Sequence, residues 1–502
     1  MESIQPNRTL LSKSVVGAGP AGFYVAHHLL NKSSPKDQFK LHVDIFDRLP
    51  APYGLSRYGV APDHPEVKNC EEYLDNLMAK FSPSDEENHQ VRFFGNVNIG
   101  EDINLVDLQK NYHSIVLSYG CTSADNQLKI PGNELPGVIS ARQFVNWYNG
   151  HPDCDSNHFT PPDLSKIEDV TIVGNGNVAL DVARVLLADP DSHWNPTDIC
   201  SRAVKALRNS SVKNVNIMAR RGLLESAFSN KEVRELLELS KKNKVKFIPV
   251  DEKVMDEIQP FVKNLGRVDK RKIGILEKYS KQSSESAQLD PDTKTWSLQY
   301  LKSPIEFVKN PNDDNLLAAT RVRLNTLKHD TLTNKTSIVS SEEAAIETVK
   351  NELVILSIGY QGSPLTGFDD VDVSFDTHQN RLLNHEGRIL LNETGGENPH
   401  NFNYKKGWYT AGWIKKGPKG VIATTMMESF ETADQILEDL TNDVHTSASS
   451  KTDVTELLQN TEYVSWNGWT KLSEQEIEIG EKLGKTREKV VNTSEMIQIA
   501  NN

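Results

Sequence analysis

The stretch Ser14-Val15-Val16-Gly17-Ala18-Gly19-Pro20-Ala21-Gly22 decides how this chain reads, because its logic returns about 155 residues later. The second copy is Asp169-Val170-Thr171-Ile172-Val173-Gly174-Asn175-Gly176-Asn177-Val178-Ala179. Each begins as a short apolar strand, turns through glycines and opens a helix-spaced apolar run, Phe23 to Leu30 in one and Leu180 to Leu187 in the other. A second β-rich run follows each, His42 to Phe46 and Val215 to Met218. A lone GxGxxG is a weak signal. Two copies in strand–turn–helix context predict an α/β chain with two Rossmann-like dinucleotide-binding units.

The glycines have mechanical roles. Gly17 permits the tight turn, Gly19 lets a pyrophosphate approach the backbone, and Gly22 allows the helix to pack closely on the strand. Pro20 suits the first helical turn, where its missing N–H has no partner to lose. The helix N-terminus then faces the phosphates with its partial positive charge. At the end of the next strand the copies diverge. The first has Asp47, a carboxylate that accepts hydrogen bonds from an adenosine ribose and favours a free 2′-hydroxyl, as in FAD or NAD. The second has Ala219-Arg220-Arg221-Gly222, and guanidinium forks suit a 2′-phosphate, so this site reads as one for NADPH. Glu232, in a helical stretch further on, is either a ribose ligand or a solvated helix face.

Around these motifs the chain is organised as two interleaved domains. At roughly 150 residues per domain, 502 residues suggest about three units. Ser114 to Gly120 and Glu352 to Gly359 are strand-like runs ending in glycine, where the chain leaves and re-enters the first domain. This gives a discontinuous first domain over residues 1–124 and 356–502, with a second domain over 125–355 inserted in it. Lys281 to Lys294 reads as an exposed loop, and Asn442 to Asp453, rich in Ser and Thr, as a linker before a charged C-terminal segment. Lys and Arg total 56 against 69 Asp and Glu, a net charge of -13, which argues against a nucleic-acid binder. No apolar run approaches the ~18 residues that span a bilayer. The N-terminus does not decide whether a presequence belongs to the chain.

The four cysteines, Cys70, Cys121, Cys154 and Cys200, form no CxxC, zinc or iron–sulfur pattern. A flavin beside an NADPH site implies hydride transfer from nicotinamide to flavin. With no redox-active cysteine pair and no internal relay, the electrons leave the chain, either to a small organic acceptor or to a docking protein carrier.

Longer strings carry a resemblance. Gly17 to Tyr24, Tyr58-Gly59-Val60-Ala61-Pro62-Asp63-His64-Pro65-Glu66-Val67-Lys68, Val116 to Gly120, Glu134 to Val138, Phe144 to Gly150, Gly176 to Arg184, Ile358-Gly359-Tyr360 and Gly412 to Thr425 are similar to the mitochondrial NADPH:adrenodoxin (ferredoxin) reductase family. The similarity runs on to Lys485–Lys489 and covers nearly the whole chain. It implies a fold of the glutathione-reductase class, two three-layer domains, with an NADPH domain inserted into a discontinuous FAD domain. FAD contacts are implied at Ala18, Asp47, Leu55, Val97, Trp413, Gly420, Val421 and Ile422. NADP contacts are implied at Asn175, Gly176, Asn177, Val178, Arg220, Arg221, Glu232 and Gly420. The sequence departs from the family's pattern at a polar insert near Glu393 to His400 and from Asp251 to Lys294.

Gly420 also has a reason of its own. Gly417-Pro418-Lys419-Gly420 precedes a run that can be helical, whose free N–H groups would face the flavin and stabilise its reduced form. The resemblance places His64 and Asp181 near each other beside the flavin, where an imidazole–carboxylate pair moves a proton or tunes the potential. It further implies an acidic [2Fe–2S] ferredoxin as partner, docking on Arg267, Lys270, Arg271 and Lys272. Lys263 and Lys278 lie in the same helical-looking stretch, Lys231 and Arg234 in another, and Lys415, Lys416 and Lys419 beside the segment implied to touch the flavin. The implied location is the mitochondrial matrix, peripheral to the inner membrane. The competing readings are a flavin oxidoreductase or monooxygenase serving a small acceptor, and a non-catalytic nucleotide-sensing scaffold.

Overall fold

A computed structural model of the chain describes residues 9–33, 39–81, 89–121, 124–155, 157–242, 244–285, 292–330, 335–339, 344–391, 402–442, 444–445 and 453–502. The insert at Glu393 to His400 lies outside the described residues. The chain divides into two compact units. The first comprises Met1–Asp125, Gly359–Lys482 and Lys489–Asn502; the second comprises Asn126–Ile358 and Leu483–Glu488. Length alone suggests about three. Strands Lys302–Lys309, Leu317–Leu324 and Ile346–Lys350 form no third unit but one small antiparallel sheet within the second.

In the first unit an eight-stranded sheet has the order Asn384–His385, Arg388–Leu390, Tyr404–Thr410, Ser114–Leu117, Thr9–Val16, Phe39–Phe46, Gln90–Gly95, Val464–Ser465. Its middle strands are parallel, which requires cover on both faces. Alternation along Thr9–Val16 supplies it. Val15 joins a core with Phe23, Leu41, Ile436 and Trp469, whereas its neighbour Val16 joins another with Phe46, Leu117 and Trp408. Helices Pro20–Lys32 and Ile422–Thr441 pack against one another, and both contribute to the Val15 core.

The second unit carries a six-stranded, all-parallel sheet in the order Val138–Ser140, Leu353–Leu356, Asp169–Val173, Asn214–Met218, Lys294–Gln299, Val245–Ile248. Its core gathers Ile172, Leu180, Val215, Leu236 and Trp296. The loop expected at Lys281 to Lys294 is shorter at both ends, and residues 286–291 within it lie outside the described residues. The helix Arg267–Glu285 runs into its first residues, and the Lys294–Gln299 strand begins at its last. Ile273 and Leu276 face the core and keep that helix on the unit despite its many charges.

Candidate functional site

The first glycine-rich turn leaves the Thr9–Val16 strand with Gly17 at φ +105°, a conformation that disfavours side chains. The Gly17 N–H donates to Phe46 O at 2.7 Å, and a Cβ on Gly17 would stand 2.7 Å from Ser118 O. At Gly22 a Cβ would meet Gly17 O at 1.9 Å, so helix Pro20–Lys32 approaches its own turn closer than any side chain permits. Gly19 is different: an added Cβ would find only the Gly54 Cα at 4.0 Å. The space over Gly19 is open, and the helix begins there without a side-chain cap. An uncapped helix N-terminus over bare backbone is the chemistry that receives a pyrophosphate, so the turn fits a dinucleotide.

Asp47 sits one residue past the Phe39–Phe46 strand. One carboxylate oxygen accepts from Ala18 N at 2.8 Å and the other from Leu49 N at 2.9 Å. Burial raises its pKa above the usual carboxylate range, against the pull of those N–H groups and of Arg48. Val97, fully buried, donates its N–H to Asp47 O at 2.8 Å and fixes the strand end. Leu55 opens the short helix Leu55–Tyr58, whose preceding Tyr53 donates its N–H to Ala18 O at 2.9 Å. Trp413 opens helix Trp413–Lys416, its ring stacked with Tyr360 at 5.9 Å between centroids. Gly420, at φ +90°, leads through Val421 into helix Ile422–Thr441. Val421 is 57% exposed and provides no side-chain cap, so this helix also offers free N–H groups.

The second turn repeats the first. Gly174, at φ +120°, donates to Met218 O at 2.8 Å, and a Cβ there would lie 2.1 Å from Ser357 O. Nothing lies within 4 Å of a Cβ on Gly176, and helix Asn177–Leu187 starts uncapped. Neighbouring side chains brace the turn. Asn175 Nδ2 donates to Ser226 Oγ at 3.3 Å, and Asn177 Oδ1 accepts from Ser229 N at 2.8 Å. Val178 packs against the core. The Ser229 hydroxyl donates to Glu232 and accepts from the Glu232 and Lys231 amides, so Glu232 is engaged at a helix start in this structure.

The register corrects one expectation. Gly17 bonds Phe46 as Gly174 bonds Met218, which sets Ala219, and not an arginine, at the position of Asp47. Arg48 then stands where Arg220 does. The difference between the turns is therefore the missing acid together with Arg221, rather than two cations replacing a carboxylate. Arg220 and Arg221 are both exposed, and among the described residues no carboxylate pairs with either. Their backbone carbonyls are held by Asn325 Nδ2 at 2.7 Å and Leu301 N at 3.2 Å, which steadies the segment while leaving the guanidiniums open.

His64 is buried in the first unit, its N–H donating to Ala61 O at 3.0 Å, and it precedes the short helix Pro65–Lys68. Asp181 lies in helix Asn177–Leu187 of the second unit, 2.9 Å from the buried Arg184 guanidinium. Among the cations, Arg267, Lys270 and Arg271 are exposed along one helix, as is Lys263 nearby. Lys272 is not available for docking. It is 6% exposed, donates to Ser226 O at 2.9 Å and lies 5.1 Å from the Phe228 ring centre. Burial lowers its pKa. Helical periodicity turns it inward, away from Lys270 and Arg271. Lys415 is likewise drawn in, donating to Thr432 Oγ1 at 3.1 Å, and Lys416 pairs with Glu428 at 2.5 Å. The short-range pattern did not reveal Tyr300, whose hydroxyl bonds Ser226 at 3.0 Å beneath the second turn.

No family model matches the chain. Similarity to individual proteins is extensive. A Saccharomyces cerevisiae protein named probable NADPH:adrenodoxin oxidoreductase, mitochondrial, is 39% identical over 98% of this chain and 97% of its own. The Bos taurus NADPH:adrenodoxin oxidoreductase, mitochondrial, is 38% identical over 97% of this chain and 91% of its own. Among solved structures, Mycobacterium tuberculosis FprA in complex with NADPH aligns with a TM-score of 0.82 at 31% identity, covering 98% of this chain and 100% of that one. With twin dinucleotide turns and whole-length relatives of this kind, the chain belongs to the NADPH:adrenodoxin oxidoreductase family.

Proposed function

We propose that this chain oxidises NADPH and passes the electrons, through FAD held in the first unit, singly to a [2Fe–2S] ferredoxin. The observation that carries the reading is the contrast between two otherwise matched turns, Asp47 at one and Ala219-Arg220-Arg221 at the other. Bound FAD supplies the conversion between a two-electron hydride donor and a one-electron acceptor. The chain's own residues do the positioning. Gly17, Gly19 and Gly22 present backbone to one pyrophosphate and Gly174 and Gly176 to the other. Asp47 takes the FAD ribose, and Arg220 and Arg221 take the 2′-phosphate of NADPH, with Glu232 and Asn175 to Val178 beside it. Leu55, Val97, Trp413 and Gly420 to Ile422 line the flavin. His64 of the first unit and Asp181 of the second are the candidates for handling a proton; hydride transfer itself needs position rather than a covalent nucleophile.

The partner docks on the exposed cations Lys263, Arg267, Lys270 and Arg271, whose charge steers an acidic ferredoxin against the net -13 of the chain. Binding then weakens steeply with ionic strength. The mitochondrial names of the relatives support a mitochondrial location, which we place on the matrix side of the inner membrane. No helix among the described residues is long and apolar enough to cross a membrane. The test is cytochrome c reduction by NADPH with and without ferredoxin. Reduction that requires ferredoxin is expected. Equal rates without it, or bound flavin that NADPH fails to bleach, would overturn the reading.

A further inference from the structure

The segment that carries Leu55 is held in an uncommon shape. Tyr53 and Gly54 have φ of +77° and +46°, and a left-handed non-glycine residue persists only where its surroundings over-determine it. Much of that support comes from the far end of the sequence, within the same unit. Trp469 Nε1 lies 3.4 Å from the Tyr53 hydroxyl, which itself donates to Asp75 at 2.5 Å. Two residues beyond Leu55, Arg57 Nη2 donates to both oxygens of Glu476, at 2.6 and 2.8 Å, across 419 positions of sequence. Arg57 is 4% exposed and Glu476 0%. The guanidinium lies 5.0 Å from the Trp469 ring centre and 5.0 Å from that of Tyr58, and Glu476 also accepts from Val490 N at 2.9 Å.

A buried ion pair is a poor way to gain stability. Desolvating two charges costs several kcal/mol, and well-packed apolar residues usually serve as well. What such a pair supplies is directional registry, and here the registry joins helix Trp466–Lys482 to the four-residue helix that begins with Leu55. We propose that Glu476 and Arg57 form a charge-compensated clamp through which the C-terminal helices hold the Tyr53–Tyr58 segment against the flavin, setting both FAD retention and flavin potential. The inference rests on the reading of the first unit as the FAD unit. Both residues are positioning residues. Glu476 fixes where Leu55 sits, and it cancels the cation that Arg57 brings beneath the site. Removing only the carboxylate leaves that cation uncompensated in a low-dielectric interior, where it favours the more negative, reduced flavin.

Two variants of the full-length protein separate the effects. Glu476→Gln keeps an acceptor for Val490 N–H and removes the charge. Its flavin potential, titrated against a reference dye, should move positive of wild type; an unchanged potential overturns the electrostatic half of the proposal. The double variant Arg57→Met with Glu476→Met buries no charge and guards against a Glu476→Gln that does not fold. Its apoprotein should melt near wild type, while FAD added back to stripped protein binds at least tenfold more weakly by fluorescence. Wild-type FAD affinity in that variant overturns the clamp. A wild-type protein that takes up no FAD would instead overturn the assignment of the first unit, so the two failures are distinguishable.

Discussion

The two glycine-rich turns agree bond for bond and differ in what stands around the bonds. Gly17 N donates to Phe46 O at 2.7 Å and Gly174 N to Met218 O at 2.8 Å; Ser118 N reaches Val16 O at 2.8 Å and Ser357 N reaches Val173 O at 2.7 Å. Counted from their first glycines, Gly22 matches Ala179 and Lys13 matches Val170, and Asp47 matches Ala219 because each follows the residue whose carbonyl the first glycine bonds. Steric exclusion at the backbone makes a dinucleotide turn. The proposed selection between dinucleotides rests on the side chains that follow the second strand, Asp47 in one unit and Ala219 with Arg220 and Arg221 in the other.

The largest expected break is at Gly22. A Cβ there lies 1.9 Å from Gly17 O, so Gly22→Val should cost more than ~4 kcal/mol in denaturant unfolding of the first unit and abolish flavin content. The matched change Ala179→Gly adds no atoms. It should cost about 1 kcal/mol, the penalty of glycine in a helix, with NADPH binding retained.

Lys13 offers the next contrast. It is fully buried, its ammonium reaches only Ser114 Oγ, at 3.0 Å, among the described residues, and burial pushes its pKa down to about 7. The unfolded chain binds that proton up to its ordinary pKa of 10.5, so between about 7 and 10.5 the unfolded state holds more protons than the folded one. Stability from this group therefore rises with pH through that window and is lost as pH falls toward 7. Lys13→Val, which copies Val170, should remove the slope and gain about 4 kcal/mol at pH 7 relative to pH 10.5. Chemical denaturation of both proteins across that range measures it, and parallel curves would disprove the effect.

At the ligand positions the changes are smaller. Arg220→Ala with Arg221→Ala should raise the NADPH KM about a hundredfold, ~2.7 kcal/mol, and leave the NADH KM nearly unchanged. Ala219→Asp sharpens the comparison, because it gives the second turn the acid of the first. NADPH should bind at least tenfold more weakly and the preference over NADH should shrink. Smallest is the surface effect. Lys270→Gln with Arg271→Gln should lower ferredoxin kcat/KM several-fold and flatten its salt dependence. Lys272→Met should instead disturb NADPH binding, because its ammonium holds Ser226 beneath the second turn.

These contrasts also mark what was legible in the sequence. Both turns were, because Gly17 and Gly174 answer to local sterics that leave a pattern over a few residues. That Ala219 rather than an arginine takes the place of Asp47 was not legible, since strand pairing sets the register at a strand end and that pairing is not local. Lys272 looked like its exposed neighbours until the helix was seated on a core containing Ile273 and Leu276. Arg57 and Glu476 left no signal at all, being 419 positions apart. Local rules wrote the backbone of the sites; tertiary packing decided which charges face them.

The sharpest measurement is a crystal structure of the protein with FAD and NADPH both bound. The account predicts the FAD ribose on Asp47 and the 2′-phosphate of NADPH between Arg220 and Arg221. Cofactors exchanged between the turns, or a 2′-phosphate lying away from both guanidiniums, would contradict it.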